Sequence, residues 1–273
     1  MRTKPRGPEL PQAGRSDEAA SGHWLLARLG KRVLRPGGVE LTRELLAAAQ
    51  ITGADVVELA PGLGRTATEI IELRPRSYRG VERDPVAVRA VQTVVGTQGS
   101  VHTADAAHSG LPTETADVVF GEAMLTMQSD PLKAAVIAEA ARLLRPGGRY
   151  AIHELALTPD DLPEDVKTAM RTQLARAIKV HARPLTLVEW RLLLAAHGLE
   201  VEIVRRAPMA LLEPGRLIDD EGVFGATRFA WNLARRPDAR RRVQTMRHTF
   251  REHRAHLSAI AIVARKPEPG EES

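Results

Sequence analysis

Several residue types are scarce or absent from this 273-residue chain, and each absence excludes a class of protein. There is no cysteine, which excludes disulfide bonds, thiolate nucleophiles and cysteine-ligated metals. Aromatic residues make up only 3% of the sequence, and no apolar run approaches the roughly 18 residues that span a bilayer. Residues 1–15 lack the apolar core of a secretory signal. We therefore expect a cytoplasmic protein without a membrane span.

The composition that remains fits one folded α/β unit. At 43% hydrophobic content, the chain can bury one full α/β core with additional helices more comfortably than two independent domains. The net charge of +5 admits an anionic partner, but arginine outnumbers lysine so heavily that genome composition explains the charge equally well. Charge alone therefore does not identify a partner.

The chain is organised around residues 56–67, with the sequence VVELAPGLGRTA. Residues 55–60 are mainly apolar and β-branched, as in a buried parallel strand, and the apolar positions after Gly64 recur at helical spacing. Between strand and helix, Gly62 and Gly64 carry no Cβ to block a ligand from the backbone, and the free N–H groups of a helix start favour an electronegative group. The stretch predicts a cradle for a nucleotide-type cofactor.

Two classes of cofactor compete for this cradle. Residues 62–67 match the dinucleotide pattern G-x-G-x-x-[GA], which alone is a weak signal. Glu58 favours the other class, because a carboxylate suits the ammonium group of an amino-acid moiety, as in S-adenosylmethionine, better than a pyrophosphate. Glu82 ends a second predicted strand about 20 residues beyond the glycines, where an acid accepts ribose hydroxyls from either cofactor.

Two further patterns mark element boundaries. In residues 143–148, LLRPGG, the proline stops a helix, and we expect both glycines to supply the positive φ of a tight reversal. Thr186 and Glu189 form a capping-box pattern that predicts the start of a later helix.

Residues 56–67 and 143–148 together resemble motif I and the turn before the fifth strand of the class I S-adenosylmethionine-dependent methyltransferases. Ala60 replaces the first of three customary small residues in motif I. The resemblance covers about residues 55–266 and implies an α/β three-layer sandwich. Its seven-stranded, mostly parallel sheet would have the order 3-2-1-4-5-7-6, with the last strand antiparallel, and this chain would add N-terminal helices and helical insertions.

The resemblance also implies a set of cofactor-binding residues. Glu58 would hold the amine and Glu82 the ribose. Asp105 would accept the adenine amino group, with the Ala106 N–H available to a ring nitrogen, and the strand end at Glu122 would face the methionine part. The full cofactor set is Glu58, Ala60, Gly62, Gly64, Glu82, Arg83, Asp105, Ala106 and Glu122. No metal is expected.

His153 is the first choice for a general base, because it lies at a predicted strand end beside the expected methyl position. Its competitors are Glu122, Glu154 and His108. A base is optional, since an amine or carbanion acceptor needs only positioning, and a structural role for His153 stays equally open.

We expect residues 17–266 to form a single domain between polar tails at 1–16 and 267–273. A helical cap (17–50), a helical lid (157–183) and a helical insertion (211–254) would enclose a chamber suited to a small-molecule acceptor. The arginine series at 235–254 permits three interpretations: a solvated helix face, a site for an anionic substrate, or RNA binding.

The function predicted from the sequence is therefore methyl transfer from S-adenosylmethionine to a small molecule, with an anionic acceptor as one option. An RNA or protein methyltransferase using the arginine-rich insertion and a non-catalytic cofactor-binding protein are the alternatives. A nicotinamide oxidoreductase is disfavoured. The acceptor, the atom methylated and the oligomeric state stay open.

Overall fold

The computed structural model of the chain describes residues 10–12, 14–31 and 35–270. Parts of both predicted tails, at 1–9, 13 and 271–273, lie outside these residues, as do residues 32–34 of the predicted N-terminal helical segment 17–50. Within the described ranges, no helix is both long and apolar enough to cross a bilayer.

The described strands form one seven-stranded sheet with the order β3-β2-β1-β4-β5-β7-β6, as predicted. Neighbouring strands run parallel except at β7, which is antiparallel to both β5 and β6. The strands are β1 (Asp55–Leu59), β2 (Ser77–Glu82), β3 (Ser100–Thr103), β4 (Ala116–Glu122), β5 (Leu144–Leu157), β6 (Glu200–Pro208) and β7 (Leu257–Arg265).

Helices cover both faces of the sheet, which completes the predicted three layers. They are α1 (Gly22–Leu29), α2 (Gly38–Ala49), α3 (Arg65–Glu72), α4 (Pro85–Val95), α5 (Asp130–Leu143), α6 (Glu164–Ile178), α7 (Leu187–Ala195), α8 (Pro214–Ala234) and α9 (Pro237–Glu252). One buried cluster joins α2, α3 and α4 to one face of the sheet, and another joins α5 and α7 to the opposite face.

A third apolar cluster joins α1, α6, α8 and α9 above one edge of the sheet. Leu155 and Leu157 from the end of β5, and Leu257 from the start of β7, pack into it. Because β7 is antiparallel, all three residues lie at the carboxyl edge of the parallel strands. From here on, the term helical cap means α1, α6, α8 and α9 together; α2, in the segment 17–50, packs against a face of the sheet and is not included. The helical cap covers the edge where open α/β sheets bind ligands.

The turn into β5 differs from its predicted conformation at one glycine. Gly147 has a φ of +76°, as expected, but Gly148 is not in the positive-φ region. A Cβ on Gly148 would lie 2.9 Å from the Arg145 carbonyl oxygen and 3.0 Å from that of Asp117. The second glycine is therefore required for close approach of two backbone segments and not for the reversal.

Candidate active site

The turn after β1 leaves open space at the carboxyl edge. Ala60, Gly62 and Gly64 all have positive φ values, of +54°, +59° and +78°. A Cβ on Gly62 would have no neighbour within 4 Å, whereas a Cβ on Gly64 would lie 3.2 Å from the Val94 Cγ2 atom of α4. Gly64 thus allows helix packing, while Gly62 borders space that a ligand can occupy.

Glu82 closes this turn from the end of β2. One carboxylate oxygen accepts the Gly62 N–H at 3.1 Å, and the other accepts the Asp84 N–H at 3.0 Å. Burial raises the pKa of Glu82, and the backbone donors partly oppose that rise. A carboxylate has about four lone-pair positions, so Glu82 can still accept hydrogen bonds from a ligand's hydroxyls.

Glu58 lies one residue before the end of β1, and its side chain is 2% exposed. It accepts the Tyr78 hydroxyl at 2.6 Å. Burial raises the pKa of Glu58 to about 8, and although Tyr78 and Arg35 oppose that rise, the carboxylates of Glu122 and Glu82 add to it. The structure thus brings Glu58, Glu82 and Glu122 within electrostatic range of one another.

The next predicted residues lie along the same edge, away from this group. Asp105 follows β3, is exposed, and accepts the Ala107 N–H at 2.8 Å, while Ala106 is half-buried. Arg83 follows Glu82 and is exposed. Burial and, to a smaller extent, the charge of Arg83 lower the pKa of His23 in α1 to about 4. The cap therefore approaches the sheet edge beside β2.

Glu122 joins β4, β5 and the segment before α2 in one buried polar network. Its Oε1 lies 2.7 Å from His153 Nδ1, and its Oε2 accepts from Arg35 Nη1 at 2.6 Å. Arg35 also donates to Thr66 Oγ1 at 2.7 Å and to Glu69 Oε1 at 3.1 Å. Burial alone would raise the pKa of Glu122, but Arg35 and then His153 outweigh it and hold that pKa far below its usual range.

The ionised Glu122 determines the tautomer of His153. An ionised carboxylate only accepts, so His153 Nδ1 donates to Glu122, and in the neutral ring Nε2 carries the lone pair. His153 is 0% exposed, and among the described residues its Nε2 has no hydrogen-bond partner. This is the arrangement of a carboxylate-oriented base.

Glu154, a competitor for the role of base, instead holds the turn after β4. Its carboxylate accepts the N–H groups of Met124, Leu125 and Thr126 at 2.7 to 3.0 Å and the Thr126 hydroxyl at 2.6 Å. The third competitor, His108, is exposed and forms an isolated bridge with Asp105. Of the competing residues, Glu122 alone shares the His153 network.

Sequence reasoning missed Arg35, Thr42 and Thr66. Arg35 is 3% exposed, and Thr42 donates to Glu122 from α2. Thr66 lies inside motif I, so its position was visible in the sequence. No pattern pointed to Arg35, which lies in the segment between α1 and α2. Burial would lower the pKa of Arg35, yet Glu122 and Glu69 raise it.

Comparison with known proteins decides the family. A family model described as a methyltransferase domain matches residues 57–152, which include the turn after β1, Glu82, Glu122 and the turn into β5. The chain contains a methyltransferase domain on the class I fold.

This methyltransferase has a relative in Haemophilus influenzae, an uncharacterised protein. The two are 32% identical over 251 residues, which cover 90% of this chain and 98% of the relative.

Solved structures share the fold at low sequence identity. A Haemonchus contortus phosphoethanolamine N-methyltransferase 2, in complex with phosphomonomethylethanolamine and S-adenosylhomocysteine, matches with a TM-score of 0.67 and 15% identity over 90% of this methyltransferase and 57% of that chain. The [4+2]-cyclase SpnF matches with a TM-score of 0.70 and 16% identity, over 89% and 92% of the two chains. At such identities the likeness concerns the fold alone.

Proposed function

We propose that this methyltransferase methylates a small molecule held between the carboxyl edge of the sheet and the helical cap. The observation that carries the proposal is the shared core of α1, α6, α8 and α9, which covers this edge above β5 and β7. A covered site suits a small acceptor, which can be enclosed, better than a polymer, which needs an open groove. The proposed single domain spans residues 17–266. Its cover would consist of three segments: 17–50, 157–183 and 211–254.

The residues at the carboxyl edge of the sheet fit S-adenosylmethionine as the proposed methyl donor. Gly62 borders open space, and Glu82 keeps lone pairs for ribose hydroxyls. Glu58 is protonated near neutral pH without a ligand, and a ligand's ammonium group beside it would lower its pKa and favour the carboxylate. We assign Ala60, Gly64, Arg83, Asp105 and Ala106 to the same cofactor site. Arg35 would help to bind the methionine carboxylate, because a guanidinium pairs with carboxylates and the Nε of Arg35 has no hydrogen-bond partner among the described residues.

The donor supplies a methyl group on a sulfonium, whose charge is neutralised on transfer. The chain's contribution is then alignment and the exclusion of water. For a hydroxyl acceptor, His153 would accept the proton at Nε2, while Glu122 keeps the ring oriented and stabilises the imidazolium that forms.

RNA binding by the arginine series receives less support, because several of these arginines already have partners within the protein. Arg242 donates to the carbonyl oxygens of Asp17, Glu18 and Ala20, and Arg251 pairs with Glu213. The solvated-face interpretation therefore applies to only part of the series.

A crystal structure with S-adenosylhomocysteine tests the proposed acceptor class. We expect the sulfur to face a closed space bordered by His153 and the cap. An open groove beyond the sulfur, together with association with tRNA that weakens steeply as salt rises, would contradict a small-molecule acceptor and support an RNA substrate.

A further inference from the structure

A second cleft lies away from the cofactor turn, at the carboxyl end of β6. It has a volume of about 710 Å³. Residues 208–213 line one side, and the last turns of α9 with the turn that follows it line the other. In the sheet, β6 is separated from β5 by β7, so the cleft is two strands from the strand that carries His153. Its volume is in the range that holds a drug-sized ligand.

Three arginines line this cleft: Arg247 and Arg251 from the last turns of α9, and Arg254 from the turn that follows it. Arg247 and Arg251 are four residues apart in α9 and therefore lie on one face of that helix. The acidic side chain among the lining residues is Glu213, which accepts from Arg251 at 2.8 and 3.0 Å and lies 3.6 Å from Arg247 Nη2. The lining thus holds one carboxylate and three guanidinium groups, which leaves the cleft cationic.

Two of these arginines retain donors for a ligand. Arg247 Nε is buried, and within the described ranges it has no hydrogen-bond partner. Arg254 is exposed, and its side chain forms no ion pair or hydrogen bond in the part of the chain that the structure describes. A buried guanidinium nitrogen without a partner is costly unless a ligand or water satisfies it.

The rest of the lining is apolar. Met209, Leu211, Leu212 and Phe250 line the cleft, and they also pack against the core of the helical cap. An apolar floor beside a cationic rim matches a ligand that has both an apolar body and a negative group.

We propose that this cleft binds an organic anion, a carboxylate, sulfonate or phosphate carried on an apolar body. Arg247 and Arg254 would hold the negative group, and Leu211, Leu212 and Phe250 would contact the body. Arg251 stays paired with Glu213 and shapes the rim. The site is separate from the cofactor residues, so the proposal does not depend on the proposed methyl acceptor.

Calorimetric titration of the full chain with anilinonaphthalene sulfonate tests the proposal. The uncharged analogue N-phenylnaphthylamine has the same aromatic body without the sulfonate. We expect the sulfonate to bind at least about ten-fold more tightly, because only the sulfonate can accept charge-assisted hydrogen bonds from the arginines. Arg247→Gln and Arg254→Gln should each weaken sulfonate binding by about ten-fold.

Arg240→Gln is the matched control, since Arg240 is an exposed residue of α9 outside the cleft. Its sulfonate affinity should equal that of the unaltered chain, and circular dichroism should show all variants folded. If Arg247→Gln does not fold, the exposed Arg254→Gln carries the test. Equal affinities for the two probes, or equal sulfonate affinities in Arg254→Gln and Arg240→Gln, would overturn the proposal.

Discussion

Glu122 at the end of β4 and His153 in β5 face each other as paired residues of adjacent parallel strands, with Oε1 and Nδ1 2.7 Å apart. The same carboxylate binds Arg35 through its other oxygen. Glu122 is therefore the centre of the buried network: it neutralises a cation from the segment before α2, and it orients the imidazole.

Replacement of Glu122 by Gln should destabilise the fold. The substitution leaves the buried Arg35 guanidinium with one carboxylate partner instead of two. Removing one member of a buried pair typically costs 3 to 5 kcal/mol, so we expect a loss of about 3 kcal/mol in the free energy of unfolding. Urea unfolding measures it, with the exposed Glu72→Gln as control. If the double variant Arg35→Met, Glu122→Leu is as unstable as Glu122→Gln alone, the unpaired charge is not the cause.

Replacement of Glu154 by Gln should loosen the turn after β4. An amide offers one acceptor oxygen where the carboxylate now accepts from three N–H groups and a hydroxyl. We expect a loss of about 2 kcal/mol in unfolding free energy. Hydrogen exchange at Leu125 and Thr126 should accelerate in Glu154→Gln and stay unchanged in the exposed control Glu252→Gln. Unchanged exchange in both variants would show that Glu154 does not hold the turn.

Stability should fall as pH rises because of Glu58. Its pKa is about 8 in the folded chain, against an ordinary value of 4.5, so the folded state binds a proton that the unfolded state releases across this interval. The contribution is fully present below about pH 4.5 and is lost as pH rises to about 8. Glu58→Gln, which cannot titrate, should show a flatter decline in unfolding free energy over this range. Equal slopes in the two proteins would contradict the assignment.

The titration of His23 should lower the stability of the folded chain as pH falls, which is the opposite pH dependence to that of Glu58 and occurs in a lower pH range. Burial lowers the pKa of its imidazole from 6.5 to about 4, so between these values the unfolded chain binds a proton that the folded chain does not. Stability from this group is complete above pH 6.5 and is lost as pH falls to about 4. Thermal unfolding of His23→Gln should show a smaller loss of Tm across this interval than the unaltered chain. An equal loss of Tm in the two proteins would show that the pKa of His23 is not lowered by burial in the folded chain.

The fold was predictable because its signals are local and repeat along the chain. The apolar run before Gly62 became β1, and the capping box at Thr186 and Glu189 starts α7 with both reciprocal hydrogen bonds. The sheet order came from the family resemblance and is confirmed. The role of Gly148 was wrong, because a close approach to the Asp117 carbonyl depends on how β4 and β5 pair, and no local pattern encodes it.

The candidate site was predictable only where acids follow strands. Glu82 and Glu122 were expected at the carboxyl edge, and the structure brings them into range of Glu58. Arg35 was not foreseen, because its contact with Glu122 joins residues 87 positions apart in sequence. The roles of His153 and of the cofactor residues stay predictions.

Calorimetric titration with S-adenosylhomocysteine tests the central claim most directly. We expect the chain to bind it and to give no heat with NADH. Glu82→Ala and Asp105→Ala should each weaken binding by about 1 to 3 kcal/mol through lost hydrogen bonds, whereas the exposed control Glu72→Ala should not. Binding of NADH in place of S-adenosylhomocysteine, or unchanged affinity in both cofactor-site variants, would contradict the account.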